Sequence, residues 1–188
     1  MITYEKLYDE VKEKLSEKRF KHSEGVVKRA IEYAKIYNVD IETVKLVAIA
    51  HDIAKELSDA ENEKYINEYK IELDDIEKTN RNLIHAKIGA YICKNKYNFT
   101  EDMVNAIKYH TTGRENMSML EKVLLLADAT EEGRYYCSSK YVDMIKKDID
   151  KGIVEVTKWV INNLLERDVV IHLDSIKCYN YYNKYMSK

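Results

Sequence analysis

The chain has 188 residues, 45% hydrophobic and 34% charged, with a formal net charge of −2, five Gly and no Pro. That length suits one domain, residues 1–188, with a sizeable core. The balance excludes a basic face for duplex nucleic acid and long disorder. The lack of turn-forming Pro and Gly excludes a sandwich or barrel of many short strands.

Helical periodicity runs the length of the sequence. Tyr4, Leu7, Tyr8, Val11 and Leu15 follow a Thr3 cap, and Phe20, Val27, Ala30, Ile31 and Ala34 make a second stripe. Asp40 opens a third helix, expected from Ile41 to about Leu57 and apolar nearly all round, hence central. Ser58-x-x-Glu61 and Ser118-x-x-Glu121 read as capping boxes. Between them lie the stripes Ile84, Ile88, Tyr91, Ile92 and, after a Thr100 cap, Met103, Ala106, Ile107. The second box opens a very apolar helix through Leu126 and Ala127, and Ile149, Ile153, Val156, Val160 and Leu164 carry the last clear stripe to about Glu166. Val169–His172 reads as extended and the Tyr-rich tail from Ser175 as one more helix. The fold class is all-α and bundle-like.

Three cysteines, Cys93, Cys137 and Cys178, are too far apart in sequence for a zinc knuckle or a disulfide framework, which suits a reducing compartment. Residues 1–6 carry no apolar leader, and the run Leu46–Ala54 is broken by His51 and Asp52. The expectation is a cytoplasmic protein off the membrane. Tyr and apolar residues near the C-terminus would allow a homodimer, though nothing specifies one.

Polar residues inside apolar helices carry the chemical information. Asp52 sits in Leu46–Lys55 and Asp128 follows Val123–Ala127. An unpaired buried carboxylate costs several kcal/mol, so each needs a cation, a metal or strong donors. His22, His51, His85 and His110 lie on or beside four inward helical faces, and Lys55 is one turn from His51 and Asp52. Gly25 and Gly89 would let backbone or ligand approach closely. Taken singly, His22, His85 or His110 reads as a hydrogen-bonded core histidine, Asp128 as an ion-pair partner of Arg134 or a helix-cap partner, and Lys55 as a snorkelling surface residue. Their conjunction across separate helices points instead to a metal site, with imidazole and carboxylate donors suited to Fe, Mn, Co or Zn rather than Mg or Ca.

That order, His22, His51-Asp52, His85, His110, Asp128, resembles the HD-domain metal-dependent phosphohydrolases. The contexts Arg19–Val26, His51–Lys55, His85–Ala90, Tyr109–Arg114 and Leu120–Asp128 are similar to the YqeK family of symmetrical bis(5′-nucleosyl)-tetraphosphatases, over about residues 5–176. The resemblance implies an HD-domain helical bundle with its metal site between central helices. It implies an iron, with Mn or Co as alternatives, held by His22, His51, Asp52 and Asp128. His85 and His110 would face substrate phosphates or complete a second metal position. Arg19, Lys55, Thr111, Asp128 and Arg134 would contact phosphate or nucleoside groups, with Asp52 and Lys55 catalytic. The family's loop that closes on the nucleotide corresponds here to Ile171, His172, Leu173, Asp174, Ser175 and Ile176, and lacks the usual Phe-Pro.

The activity implied is hydrolysis of diadenosine tetraphosphate at its midpoint into two ADP. A metal held by imidazoles and carboxylates would supply local positive charge without a basic surface, and Asp52 would both ligate it and orient the attacking water. Three rivals stand beside this reading: an HD-type nucleotidase or phosphodiesterase on another nucleotide, a di-iron oxygenase, and a nucleotide sensor that binds without cutting. A helical partner-binding module is the fourth.

Overall fold

The computed structural model describes residues 2–134 and 138–186, and among these every regular element is helical. In chain order they are α1 (Tyr4–Lys14), α2 (Glu17–Tyr37), α3 (Ile41–Ala50), α4 (Asp59–Tyr69), α5 (Arg81–Tyr97), α6 (Glu101–Lys108), α7 (Met119–Thr130), α8 (Ser139–Lys147), α9 (Ile149–Glu166) and α10 (Leu173–Met186). A short 3₁₀ turn, Glu77–Thr79, precedes α5.

The expected caps hold. Side chains of Thr3, Asp40 and Thr100 accept from backbone N–H groups in the first turns of α1, α3 and α6, and both capping boxes are closed. Ser16, Asn80 and Asp148 do the same for α2, α5 and α9. At the C-terminal ends, Asn38 and Asn98 adopt the left-handed conformation at φ 53° and 56°, the place Gly most often fills.

Helix α2 packs along α3 and α7, α5 pairs with α6, and α6 leans on α7. Helices α9 and α10 pack together, with α9 against α7 on the other side. The centre is filled by Val26, Ala30, Val47, Ile49, Ile88, Ile107, Leu124 and Leu126, all fully buried. Burying such side chains contributes about 1.5–3 kcal/mol each. No helix among the described residues is long and apolar enough to cross a membrane.

Two expectations need correction. Helix α3 stops at Ala50 rather than near Leu57, because the chain changes there from i→i−4 to i→i−3 bonding: Ile53 N–H donates to Ala50 O at 3.0 Å and Lys55 N–H to Asp52 O at 2.8 Å. His110 likewise follows α6 instead of belonging to it. In the Tyr-rich tail, Tyr182 is buried and Tyr179 and Tyr181 pack against the core. The exposed apolar residues of this end are Leu165, Val170 and Leu173. Cys93 and Cys178 are buried free thiols, and Cys137 lies outside the described residues.

Candidate metal centre

Five chain segments deliver the candidate ligands. His22 comes from the second turn of α2, His85 from α5 and Asp128 from the last turn of α7, while His51-Asp52 and His110 sit in tight turns just past α3 and α6. The unwinding after Ala50 lets two adjacent side chains, His51 and Asp52, both face inward, 0% and 3% exposed. Two successive residues of an α-helix, about 100° apart, point to different sides.

Asp52 is the hub. Its Oδ2 lies 3.4 Å from His51 Nε2 and 3.7 Å from His22 Nε2, and its Oδ1 lies 3.0 Å from His85 Nε2 and 3.8 Å from His110 Nε2. Asp128 Oδ1 stands 3.0 Å from His22 Nε2 and 3.9 Å from His51 Nε2. The two oxygens of Asp52 thus face two sets of imidazoles, His22 with His51 and His85 with His110. His85 and His110 are themselves 3.3 Å apart, Nε2 to Nε2.

The rear hydrogen bonds fix which nitrogen of each ring faces the centre. His51 Nδ1 donates to Ala48 O at 2.7 Å and His110 Nδ1 to Ile107 O at 2.7 Å. His22 Nδ1 faces Glu131 Oε1 at 3.1 Å. Since a carbonyl only accepts, Nδ1 of His51 and His110 carries a proton and Nε2 faces inward; His22 meets a carboxylate with each nitrogen, and a metal at its Nε2 would leave the proton on Nδ1. His22 Nε2 and His51 Nε2 are buried with no hydrogen-bond partner among the described residues, although carboxylate oxygens lie close by. Lone pairs that converge this way repel one another unless a cation stands between them. A metal ion fits this donor set, and Glu131–His22 has the form of a carboxylate orienting a metal-bound imidazole.

The electrostatics favour positive charge beside Asp52 and Asp128. Burial alone would push the His51 pKa down, but Asp52 and then Asp128 outweigh it and push it up. Burial opposes the charge of Asp52, yet His51 and His85 hold its carboxyl well below the usual carboxylate range. Burial drives His110 down to about 3 and lowers His85, leaving both neutral and able to ligate. Asp128 and Glu131 lie at the C-terminal end of α7, whose last turn holds no basic residue, so the helix dipole adds negative potential there.

Cations ring this negative centre. Arg19, one turn before His22, reaches Asp52 Oδ2 at 2.9 Å, and Arg134 Nη2 reaches Asp128 Oδ1 at 2.6 Å. Lys55 Nζ donates to Asn82 Oδ1 at 3.2 Å and sits 3.4 Å from His85 Nδ1. Arg19, Asp52, Lys55, His110, Thr111, Asp128 and Arg134 all line one cleft of about 970 Å³, at the upper end of ordinary ligand sites.

The expected loop 171–176 is brought only partly to this cleft. His172 and Ser175 line it, whereas Ile171, Leu173, Asp174 and Ile176 do not. Leu173–Ile176 is the first turn of α10, and Leu173 is 63% exposed. His172 is held from outside the cleft: its Nδ1 accepts from Asp174 N–H at 3.2 Å, so its Nε2–H donates to Asp74 Oδ2 at 2.8 Å. That tautomer denies the cluster Asp74, Glu77, His172 a free imidazole lone pair for a metal.

Sequence reasoning missed Glu131 and the far wall of the cleft, which α9 supplies through residues such as Trp159, Asn163 and Arg167. Gly25 is the signal for Glu131: a Cβ at that position would lie 2.6 Å from Glu131 Oε2. Gly89 meets only ordinary packing distances, with His51 O at 3.6 Å.

Comparison with known proteins agrees with this geometry. Residues 19–133 match the HD domain family. A symmetrical bis(5′-nucleosyl)-tetraphosphatase of Halalkalibacterium halodurans is 37% identical over 90% of this chain and 91% of its own length. Its counterpart from Staphylococcus aureus is 34% identical over 92% and 90%. Among solved structures, one described as a predicted HD superfamily hydrolase involved in NAD metabolism, from Clostridium acetobutylicum, is 33% identical with a TM-score of 0.91, covering 98% of this chain and 99% of that one. The chain belongs to the HD-domain phosphohydrolase superfamily and, within it, to the YqeK family.

Proposed function

We propose that the chain hydrolyses diadenosine tetraphosphate and related dinucleoside polyphosphates at the midpoint, giving two ADP, with iron as its resident metal. The observation that carries this reading is the convergence of unpartnered imidazole Nε2 atoms on Asp52 and Asp128 beneath a cleft flanked by Arg19, Lys55 and Arg134. The activity named for the relatives supports it.

His22, His51, Asp52 and Asp128 would hold the metal. His85 and His110, on the other oxygen of Asp52, would take a second metal position or face phosphate oxygens. Once bound, the metal lowers the pKa of its water and neutralises phosphate charge. The chain's own groups do the rest. Glu131 holds the His22 ring in its ligating orientation. Arg19, Lys55 and Arg134 bind the non-bridging oxygens that gather charge as the bond breaks. Asp52 orients the attacking water against one of the two central phosphorus atoms. The bond from that atom to the bridging oxygen breaks; one ADP takes the hydroxyl and the other the proton.

Residues 1–188 work as one domain, since α9 and α10 wall the cleft whose floor α2, α5, α7 and the turns after α3 and α6 build. Free buried Cys93 and Cys178 suit the reducing cytoplasm. Metal analysis of protein purified without chelator, followed by chelator stripping and reloading with Fe, Mn or Co, tests the reading. Stoichiometric metal, loss of turnover on stripping and best recovery with iron are expected. Full turnover in stripped protein would refute it.

A further inference from the structure

A substrate cut at its midpoint places one nucleoside on each side of the metal centre, so the cleft needs two places for a base. We propose that the α9 wall is one of them, with Trp159 as the surface on which a nucleobase stacks. This rests on the function proposed above and assigns a residue that neither the metal centre nor its ring of cations uses.

Val156, Trp159, Val160, Asn163, Leu164 and Arg167 all line the cleft. Their spacing, i, i+3, i+4, i+7 and i+8, is one face of α9, with Arg167 just past the helix end, and the stretch is about 17 Å long at 1.5 Å per residue. Helix α9 packs on α7, the helix that carries Asp128. The periodicity of this stripe reads as core, yet Trp159, Val160, Asn163 and Leu164 are only half-buried and open to the cavity. A wall of this kind, apolar and aromatic with an amide and a guanidinium on the same face, matches a base and its polar edge. It does not match a phosphate chain, for which Arg19, Lys55 and Arg134 are already gathered at the centre.

Among the described residues lining the cleft, Trp159 is the one side chain with a large aromatic ring besides the imidazoles of His110 and His172. His110 belongs to the centre, and His172 is tied to Asp74. Base stacking on an indole is tolerant of base identity, because every base presents a π-face. The subsite therefore accepts purines generally and discriminates weakly between adenine and guanine.

Trp159 is the only tryptophan of the chain, so its emission reports on this wall alone. The metal-loaded enzyme is titrated with the methylene-bridged analogue of diadenosine tetraphosphate, which keeps both bases and resists midpoint cleavage. Inorganic tripolyphosphate serves as the baseless control. The analogue is expected to quench the emission and tripolyphosphate to leave it unchanged. In kinetics, Trp159→Leu should raise KM roughly tenfold with kcat nearly intact, and Trp159→Phe should restore most of the KM. Unchanged emission at analogue concentrations that inhibit hydrolysis would overturn the assignment, as would an unaltered KM in folded Trp159→Leu. The emission experiment uses the wild-type chain, so a variant that fails to fold does not decide the matter. Wild-type hydrolysis is scored separately: if diadenosine tetraphosphate gives no ADP, the functional reading fails; if it does and Trp159 stays silent, only the subsite fails.

Discussion

The carboxylate of Glu131 lies 3.1 Å from Nδ1 of His22, and it occupies the space a side chain at residue 25 would take. His22 and Glu131 are 109 residues apart in sequence, one in the second turn of α2 and the other just past α7. Glu131 also accepts from Gly133 N–H at 2.6 Å, so the loop after α7 is folded around the same carboxylate.

Removing that carboxylate should loosen the metal rather than unfold the chain. Glu131→Ala is expected to lower metal affinity about 10–100-fold, the usual cost of losing a partner that orients a ligating imidazole. Gly25→Ala should act in the same direction by displacing Glu131. Chelator competition reads both, and excess metal should restore their turnover. Turnover that excess metal cannot restore would argue against an orienting role.

The charges at the cleft make a different prediction. Lys55 donates to Asn82 and is placed to meet phosphate rather than metal. Lys55→Ala should cut kcat about 10²–10³-fold, the scale of losing one donor to transition-state charge. Bound metal, measured by elemental analysis, should stay at the wild-type level. A parallel loss of metal would place Lys55 in the ligand framework instead.

Much of this site was legible from sequence because its residues break an otherwise apolar pattern. Asp52 and Asp128 interrupt hydrophobic helices, and a buried carboxylate demands a partner. The turn after Ala50 was not legible, since neither Gly nor Pro marks it and Ile53 and Ala54 continue the apolar run. Glu131 was hidden among charged neighbours, its partner being distant in sequence. The α9 wall is not legible as a cleft because a cleft wall and a core stripe share the same 3.6-residue period. Ser139–Lys147 went unassigned, its N-cap lacking a side-chain hydrogen bond. Leu173–Ile176 opens α10 instead of forming a loop, and there His172 Nδ1 accepts from Asp174 N–H.

The loop that carries His110 and Thr111 is braced by two features whose loss should cost stability. Glu121 is 1% exposed and receives both ends of the Arg114 guanidinium, at 2.6 and 2.7 Å. Arg114→Ala leaves that buried carboxylate with only the Ser118 N–H and should destabilise by about 3 kcal/mol. Gly113, at φ +64°, would place a Cβ 2.5 Å from Cys178 Sγ. Gly113→Ala should therefore cost about 2 kcal/mol or more. Urea midpoints check both, and a shift below a quarter of these values would contradict the bracing.

Alkaline pH should unfold the chain early. Burial raises the Cys178 thiol from 9.0 to about 11 and raises Cys93 further. Tyr97 and Tyr182 are raised by burial as well, Tyr97 also by its bond to Glu10. All four are neutral when protonated, so above about pH 9 the unfolded chain loses protons that the native chain retains. Stability is then full below the unfolded values and falls as pH rises, by up to about 1.4 kcal/mol per pH unit per group. The urea midpoint should drop between pH 8.5 and 10.5 (about two pH units), and less steeply in Cys178→Ser. A flat profile over that window would contradict the burial of these groups.

Product analysis tests the central claim most directly. Iron-loaded enzyme is incubated with diadenosine tetraphosphate and the early products are resolved by ion-exchange chromatography. ADP as the sole early product is the predicted result. AMP with ATP, or no product from protein carrying its metal, would contradict midpoint cleavage.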